Sequence, residues 1–154
     1  MRPAMIWSNP FDTDGRVLIE GAVIDSIFDY QQLKPSAPEA GGILLGYRRG
    51  VHLHIVRATT PQPSDKRMRY RFDRRDQFHQ TIATKAWQAS DGTIDYVGEW
   101  HTHPEANPSP SSLDISEWGK IHRISQFPMV FLIVGLGETI WIGLAGNNKL
   151  LICD

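Results

Sequence analysis

The chain has 154 residues, 41% hydrophobic and 21% charged, with a formal net charge of −1. That length suits a single domain spanning 1–154 that buries a core without disulfide or metal staples. The near-neutral charge argues against a nucleic-acid or membrane partner, and no apolar run is long enough for a bilayer span or a signal peptide, so a cytoplasmic protein is expected.

In chain order, Val17–Glu20 reads as a short strand. Ala22–Leu33 carries Val23, Ile24, Ile27, Phe28 and Tyr30 near helical spacing and is stopped by Pro35 and Pro38. Gly41–Tyr47 and Val51–Thr59 read as a hairpin turning at Arg48-Arg49-Gly50. A loop runs from Thr60 to about Arg67, followed by a strand at Arg69–Phe72. Asp76–Ala89 reads as an amphipathic helix with Phe78, Ile82, Ala86 and Trp87 on its apolar side. Ile94–His101 is predicted as a strand and Ser112–Ile124 as a helix. Met129–Leu136, Thr139–Leu144 and Leu150–Ile152 complete the strands, with turns at Gly135–Gly137 and Gly146-Asn147-Asn148. The pattern predicts a mixed α/β (α+β) domain, a curved and mostly antiparallel sheet flanked by about three helices.

Chemistry concentrates in Glu99-Trp-His-Thr-His-Pro-Glu-Ala-Asn-Pro-Ser-Pro-Ser-Ser-Leu-Asp114. Alternate strand residues share a face, so His101 and His103 point the same way. Pro104 stops the strand, and Asp114 falls in the first turn of the next helix. Two imidazoles and a carboxylate form the ligand set of an open catalytic zinc site. A lone His-x-His is weak evidence, and Ser111-x-x-Asp114 taken alone reads as a helix capping box. The specificity lies in the combination. Hydrolysis also needs a general base. Glu99 shares the histidines' strand parity and Glu105 follows them closely; on the residues alone, Glu99 ranks first.

The run His101-Thr-His103-Pro104, six residues, then Ser111-Ser-Leu-Asp114 resembles the signature of the JAMM metalloproteases, also called the MPN-plus or JAB family. The family's upstream half, a glutamate before a glycine-rich apolar strand, is matched by Pro38-Glu39-Ala-Gly-Gly-Ile-Leu-Leu-Gly46. The resemblance runs from about Val17 to Leu144 and implies a cytidine-deaminase-like MPN/JAB fold. It implies one zinc ion per chain on His101, His103 and Asp114, with Glu39 as general base and then acid. Ser111 would donate to the tetrahedral oxyanion, a contact often worth roughly 2.7–4 kcal/mol. Glu99 then becomes a supporting carboxylate.

The short single-domain form resembles the prokaryotic JAB branch. The implied activity is isopeptidase or peptidase cleavage after the C-terminal glycine of a ubiquitin-like protein or other C-terminally conjugated substrate. Activating-enzyme-like and conjugating-enzyme-like operon partners are implied, as in CBASS-type antiphage systems. The alternatives are processing of a ubiquitin-fold sulfur carrier and a non-catalytic MPN scaffold; scaffolds usually lack a ligand, and this chain keeps all five positions. No sequence feature specifies an oligomeric state.

Several features stay outside the motif. Asp65–Asp76 holds six basic residues among twelve and reads first as a solvated strand edge and helix start, and next as a protein-docking surface. His52 and His54 form a second His-x-His without a following carboxylate and read as one strand face. His79 and His122 have no motif context. Trp87 and Trp118 read as core. Cys153, the only cysteine, has no activating neighbour in sequence.

Overall fold

A computed structural model describes residues 1–154. Its elements are β1 (Met5–Ser8), β2 (Arg16–Ile19), α1 (Gly21–Phe28), β3 (Gly41–Arg49), β4 (His52–Ala58), β5 (Lys66–Met68), β6 (Arg71–Asp73), α2 (Phe78–Ala89), β7 (Asp95–Thr102), α3 (Ser112–Ser125), β8 (Met129–Val134), β9 (Ile140–Gly146) and β10 (Lys149–Ile152). Eight strands form one sheet in the order β1-β2-β4-β3-β7-β8-β9-β10, and β5 and β6 form a separate hairpin. Pairing is antiparallel except at β2–β4 and β7–β8. The predicted curved, mostly antiparallel α+β domain is the observed one. The sheet curls until its ends meet: Ser8 N–H donates to the Asp154 carbonyl at 2.6 Å.

β8 shows why one strand can be apolar throughout. Val130, Leu132 and Val134 belong to the main core with Val23, Ile24, Ile27 and Phe28 of α1. Met129, Phe131 and Ile133 pack instead with Trp118 of α3. Both faces are covered, so the alternation of a half-solvated strand disappears. Ile43 and Leu45 of β3 pack with Ala83 of α2 in a third cluster. Thus α1 lies on one side of the sheet, with α2 and α3 on the other. The predicted turn at Asn147-Asn148 has both residues at positive φ, 51° and 61°, as a tight two-residue hairpin needs.

Several expectations need correction. β1 was not expected; its half-buried alternation at the sheet edge is too short to stand out. The first helix ends at Phe28, five residues before the predicted Leu33. The expected strand at 69–72 is a hairpin, with Arg69 and Tyr70 at its turn. In α2 the buried residues are His79 and Ala83, while Phe78 is 44% and Trp87 52% exposed. Ile82 and Ala86 pack inward as expected, against Ile43, Leu45 and Ala83, while His79 also turns inward to Thr59 and Asp65. Trp118 is core as expected. No helix is long and apolar enough to cross a membrane.

Candidate active site

β7 carries the two motif histidines to one rim of the sheet. His101 lies within β7, and His103, just past it, still donates its N–H to the Val134 carbonyl at 3.0 Å. Both are buried. Thr102 points the opposite way: its Oγ1 accepts the Ala40 N–H at 3.0 Å and donates to Gln32 Oε1 at 2.9 Å. His101 leans on Trp118, ring centroids 5.7 Å apart, and Trp118 stacks in turn on Phe131 and Trp141.

Ser111 is the N-cap of α3. Its side chain accepts the Asp114 N–H at 3.1 Å, and Asp114 Oδ2 accepts the Ser111 N–H at 2.8 Å, a reciprocal capping box. The same Oδ2 lies 3.3 Å from His101 Nε2 and 3.2 Å from His103 Nε2. The two Nε2 atoms are 3.1 Å apart. Capping and convergence therefore use one oxygen, and the helix start fixes the carboxylate's position.

This triangle fits a tetrahedral ion. Donors about 2.0–2.1 Å from such an ion stand about 3.3–3.4 Å from one another, close to the 3.1–3.3 Å seen. The electrostatics agree. Burial alone would lower the His103 pKa, but Asp114 and Glu105 push it up to about 9. Burial would raise Asp114, but the two imidazoles hold it well below the usual carboxylate range. The Asp114 charge at the centre is one that a bound cation would offset. His103 Nδ1 is 2.7 Å from Glu105 Oε1. That contact directs the Nδ1 proton to Glu105 and frees Nε2 as a ligand.

Glu39 immediately precedes the buried Ala40-Gly41-Gly42 run and is itself buried. Its carboxylate belongs with the histidine nitrogens to a set of atoms within 4.8 Å of one another, so this buried Glu/His/His group could also hold a metal. The donors of the His101–His103–Asp114 triangle are closer together and form the better ligand set. Burial pushes the Glu39 carboxyl up to about 8, helped by Asp114 and Glu105 and opposed by His103 and the Phe72 backbone amide. A carboxyl tuned toward neutrality suits proton transfer.

The hairpin of β5 and β6 grips Glu39 from outside. Glu39 N–H donates to the Met68 carbonyl at 2.7 Å, and Arg67 Nε donates to the Glu39 carbonyl at 2.9 Å. A Cβ on Gly41 would stand 2.7 Å from Phe72 and from the Trp100 carbonyl, and one on Gly42 only 2.1 Å from the Thr59 carbonyl. Glycines there let the backbones close around the site.

Several side chains of the exposed basic run also make contacts within the molecule. Besides Arg67, Arg74 pairs with Glu99 at 2.8 Å, Arg75 with Asp73 at 2.7 Å, and Arg69 donates to the Lys34 carbonyl at 3.3 Å. The expected solvated edge holds, since five of the six basic residues are exposed, and several of their guanidinium groups also reach neighbouring oxygens. Glu99 also accepts from the Tyr96 hydroxyl at 2.6 Å, a structural role. His54 pairs with Glu20 at 2.6 Å and His52 Nδ1 accepts the Arg16 N–H at 3.0 Å, so the second His-x-His is structural too.

Glu39, His101, Ser111 and Asp114 line one cleft of about 280 Å³, walled by Tyr70 and Arg71 on one side and Leu113 and Glu117 on the other. A larger depression of about 550 Å³ lies at the far end of β3, around Arg48, Arg49 and Phe127, and holds no cluster of metal donors.

Three curated proteins named CD-NTase/cGAS isopeptidase resemble this chain. The Pseudomonas aeruginosa protein is 44% identical over 79% of this chain and 80% of its own length. The Vibrio cholerae protein is 41% identical over 86% and 83%, and the Escherichia coli protein 41% over 90% and 88%. The solution structure of protein DSY2949 from Desulfitobacterium hafniense covers 87% of both chains with a TM-score of 0.60 at 20% identity, a likeness of fold. Residues 22–142 match the family described as prokaryotic homologs of the JAB domain, and the chain belongs to that family.

Proposed function

We propose that this protein is a zinc-dependent isopeptidase that releases a CD-NTase/cGAS-type protein from the lysine to which its C-terminus is joined, in a CBASS-type defence system. The carrying observation is the convergence of His101 Nε2, His103 Nε2 and Asp114 Oδ2 within 3.1–3.3 Å beside the buried Glu39. The substrate rests on the names of relatives 41–44% identical over most of the chain. The ubiquitin-like or otherwise C-terminally conjugated substrate expected from sequence narrows, in this reading, to a conjugated nucleotidyltransferase.

In this reading His101, His103 and Asp114 hold one zinc ion, which when bound supplies Lewis acidity to the scissile carbonyl and the attacking water. Glu39 takes a proton from the water as its oxygen bonds to the carbonyl carbon. Ser111 Oγ, which already accepts the Asp114 N–H, keeps its own proton to donate to the developing oxyanion. The C–N bond then breaks, and Glu39 passes its proton to the departing lysine Nζ. Water is consumed, leaving a carboxyl terminus and a free amine.

The test is direct. Zinc-loaded protein is incubated with a CD-NTase whose C-terminus is isopeptide-linked to lysine, and the free CD-NTase is followed on a gel. Cleavage by the wild type, lost in His101→Ala, is expected. An intact conjugate after incubation with fully loaded wild-type protein refutes the reading.

A further inference from the structure

A chain of buried polar side chains outside the metal-ligand set links the sheet to the hairpin that holds Glu39. His79 and the side chain of Asp65 are both 0% exposed, and Thr59 is 4%. Thr59 Oγ1 lies 2.6 Å from His79 Nδ1, and His79 Nε2 lies 2.7 Å from Asp65 Oδ2. Thr59 Oγ1 also accepts the Ile43 N–H at 2.9 Å. One proton arrangement satisfies every member: Thr59 donates to Nδ1, and Nε2–H donates to Asp65.

Each end of the chain is tied to a different part of the site. Asp65 Oδ1 accepts the N–H groups of Arg75 and Asp76 at 2.7 and 2.8 Å, and Oδ2 accepts that of Gln62 at 2.9 Å. These bonds clasp the two ends of the segment that carries β5 and β6. Burial opposes the charge on Asp65, but those amides and His79 outweigh it and hold the carboxyl below its usual range. At the other end, the Thr59 carbonyl accepts Trp100 Nε1–H at 2.8 Å, next in sequence to His101.

Other contacts also hold the hairpin: Arg69 donates to the Lys34 carbonyl at 3.3 Å, Arg74 just past it pairs with Glu99 at 2.8 Å, and the Phe72 ring lies against Gly41. All three residues of β5 are exposed and no residue of β6 is fully buried. At its turn, Gln32 Nε2 donates to the Arg69 carbonyl at 2.9 Å. None of its residues belongs to a hydrophobic core cluster. Yet Met68 and Arg67 hold the Glu39 backbone, so a shift of the hairpin is a shift of Glu39.

The geometry points to Thr59, His79 and Asp65 as positioning residues that, through the β5–β6 hairpin, set the Glu39 carboxylate against the metal-ligand cluster. The role of Glu39 in this inference rests on the isopeptidase reading; the mechanical coupling of the relay to Glu39 does not. Thr59→Val keeps the shape and removes the hydroxyl, leaving the Ile43 N–H and His79 Nδ1 buried without their partner. Thr59→Ser keeps the hydroxyl.

The test compares Thr59→Val, Thr59→Ser and His79→Ala with wild type for metal content, kcat and KM on the CD-NTase conjugate, and amide hydrogen exchange. Thr59→Val and His79→Ala are expected to bind metal as the wild type does and to lose about 10- to 100-fold in kcat with KM little changed, the scale of a small misplacement of a catalytic group. Amides of Glu39 and residues 66–73 exchange faster in both, and Thr59→Ser recovers the kcat. If His79→Ala does not fold, the Thr59 pair carries the comparison. Wild-type exchange at Glu39 in Thr59→Val, or metal lost in step with activity, overturns the inference. A wild type that cleaves no conjugate refutes the isopeptidase reading instead, and the exchange data still decide the coupling.

Discussion

Glu39 reaches the motif histidines because β3 and β7 pair Gly41 with His101, and contact between the two segments continues one residue further. The ladder sets Gly41 against His101 and Gly42 against Trp100. Beyond it, Ala40 and Thr102 exchange hydrogen bonds: the Thr102 N–H donates to the Ala40 carbonyl at 2.9 Å, and the Ala40 N–H to Thr102 Oγ1 at 3.0 Å. A separation of 62 residues in the chain thus becomes a cross-strand neighbour relation.

That register predicts separate roles for the base and the ligands. Glu39→Gln removes the titratable group and leaves the His101–His103–Asp114 triangle untouched. Metal content measured by elemental analysis should match wild type, while kcat falls about 10²- to 10⁴-fold. Glu99→Ala should keep most activity, because Glu99 is occupied by Arg74 and Tyr96. An inactive Glu99→Ala beside an active Glu39→Gln reverses the assignment.

The metal-free protein should lose stability as pH rises. Burial raises Glu39 from 4.5 to about 8, so between those values the native state binds a proton that the unfolded chain has released. His103 behaves alike: its contribution is full below 6.5 and is lost as pH rises through about 9. Asp114 acts oppositely, with a contribution present above 3.8 and lost in acid. Metal needs its donors deprotonated. The Tm difference between zinc-loaded and chelator-treated protein should therefore widen from pH 6 to pH 9. A difference that narrows over that range contradicts a metal centre at these residues.

Much of this was legible in the sequence because the responsible forces are local. Strand parity puts His101 and His103 on one side, Pro104 ends the strand, and a capping box starts α3 at Ser111. The apolar run at 129–134 announces a strand covered on both faces. Glu39 was reachable only through the family pattern, since nothing local says which strands pair or in what register. On α2 the apolar pattern finds Ile82 and Ala86, which pack inward, but periodicity counts apolar side chains and passes over His79. A buried histidine bonded to Thr59 and Asp65, residues 20 and 14 positions away, outweighs an exposed Trp87. The hairpin's internal ion pairs were hidden for the same reason: charge in a sequence does not say whom it faces.

Ser111 and Asp114 separate the two uses of the cap. Ser111→Ala removes the acceptor for the Asp114 N–H, which should cost about 1 kcal/mol of stability in thermal unfolding. In the proposed mechanism it also removes the oxyanion donor, a further expected loss of about 10²- to 10³-fold in kcat, while metal content should match wild type because Asp114 Oδ2 is untouched. Asp114→Ala should lose metal as well as activity. If Ser111→Ala alters only Tm, the serine is a cap and nothing more.

Glu105 supports His103 from the side away from the other ligands. Its carboxylate lies 2.7 Å from His103 Nδ1 and is half exposed, and its carbonyl accepts the Leu136 N–H at 2.9 Å, which anchors the loop after Pro104. The side chain can therefore be changed without displacing the loop. Glu105→Ala frees the His103 ring to rotate and removes the acceptor that selects its ligating tautomer. Such partners are typically worth about 10- to 100-fold in metal affinity. Competition against a zinc chelator should show a loss of that order for Glu105→Ala and a smaller one for Glu105→Gln, which keeps a neutral acceptor at the same reach. Because Glu39 is untouched, kcat at saturating zinc should stay near wild type; a kcat that collapses with zinc fully bound makes Glu105 part of the proton transfer itself.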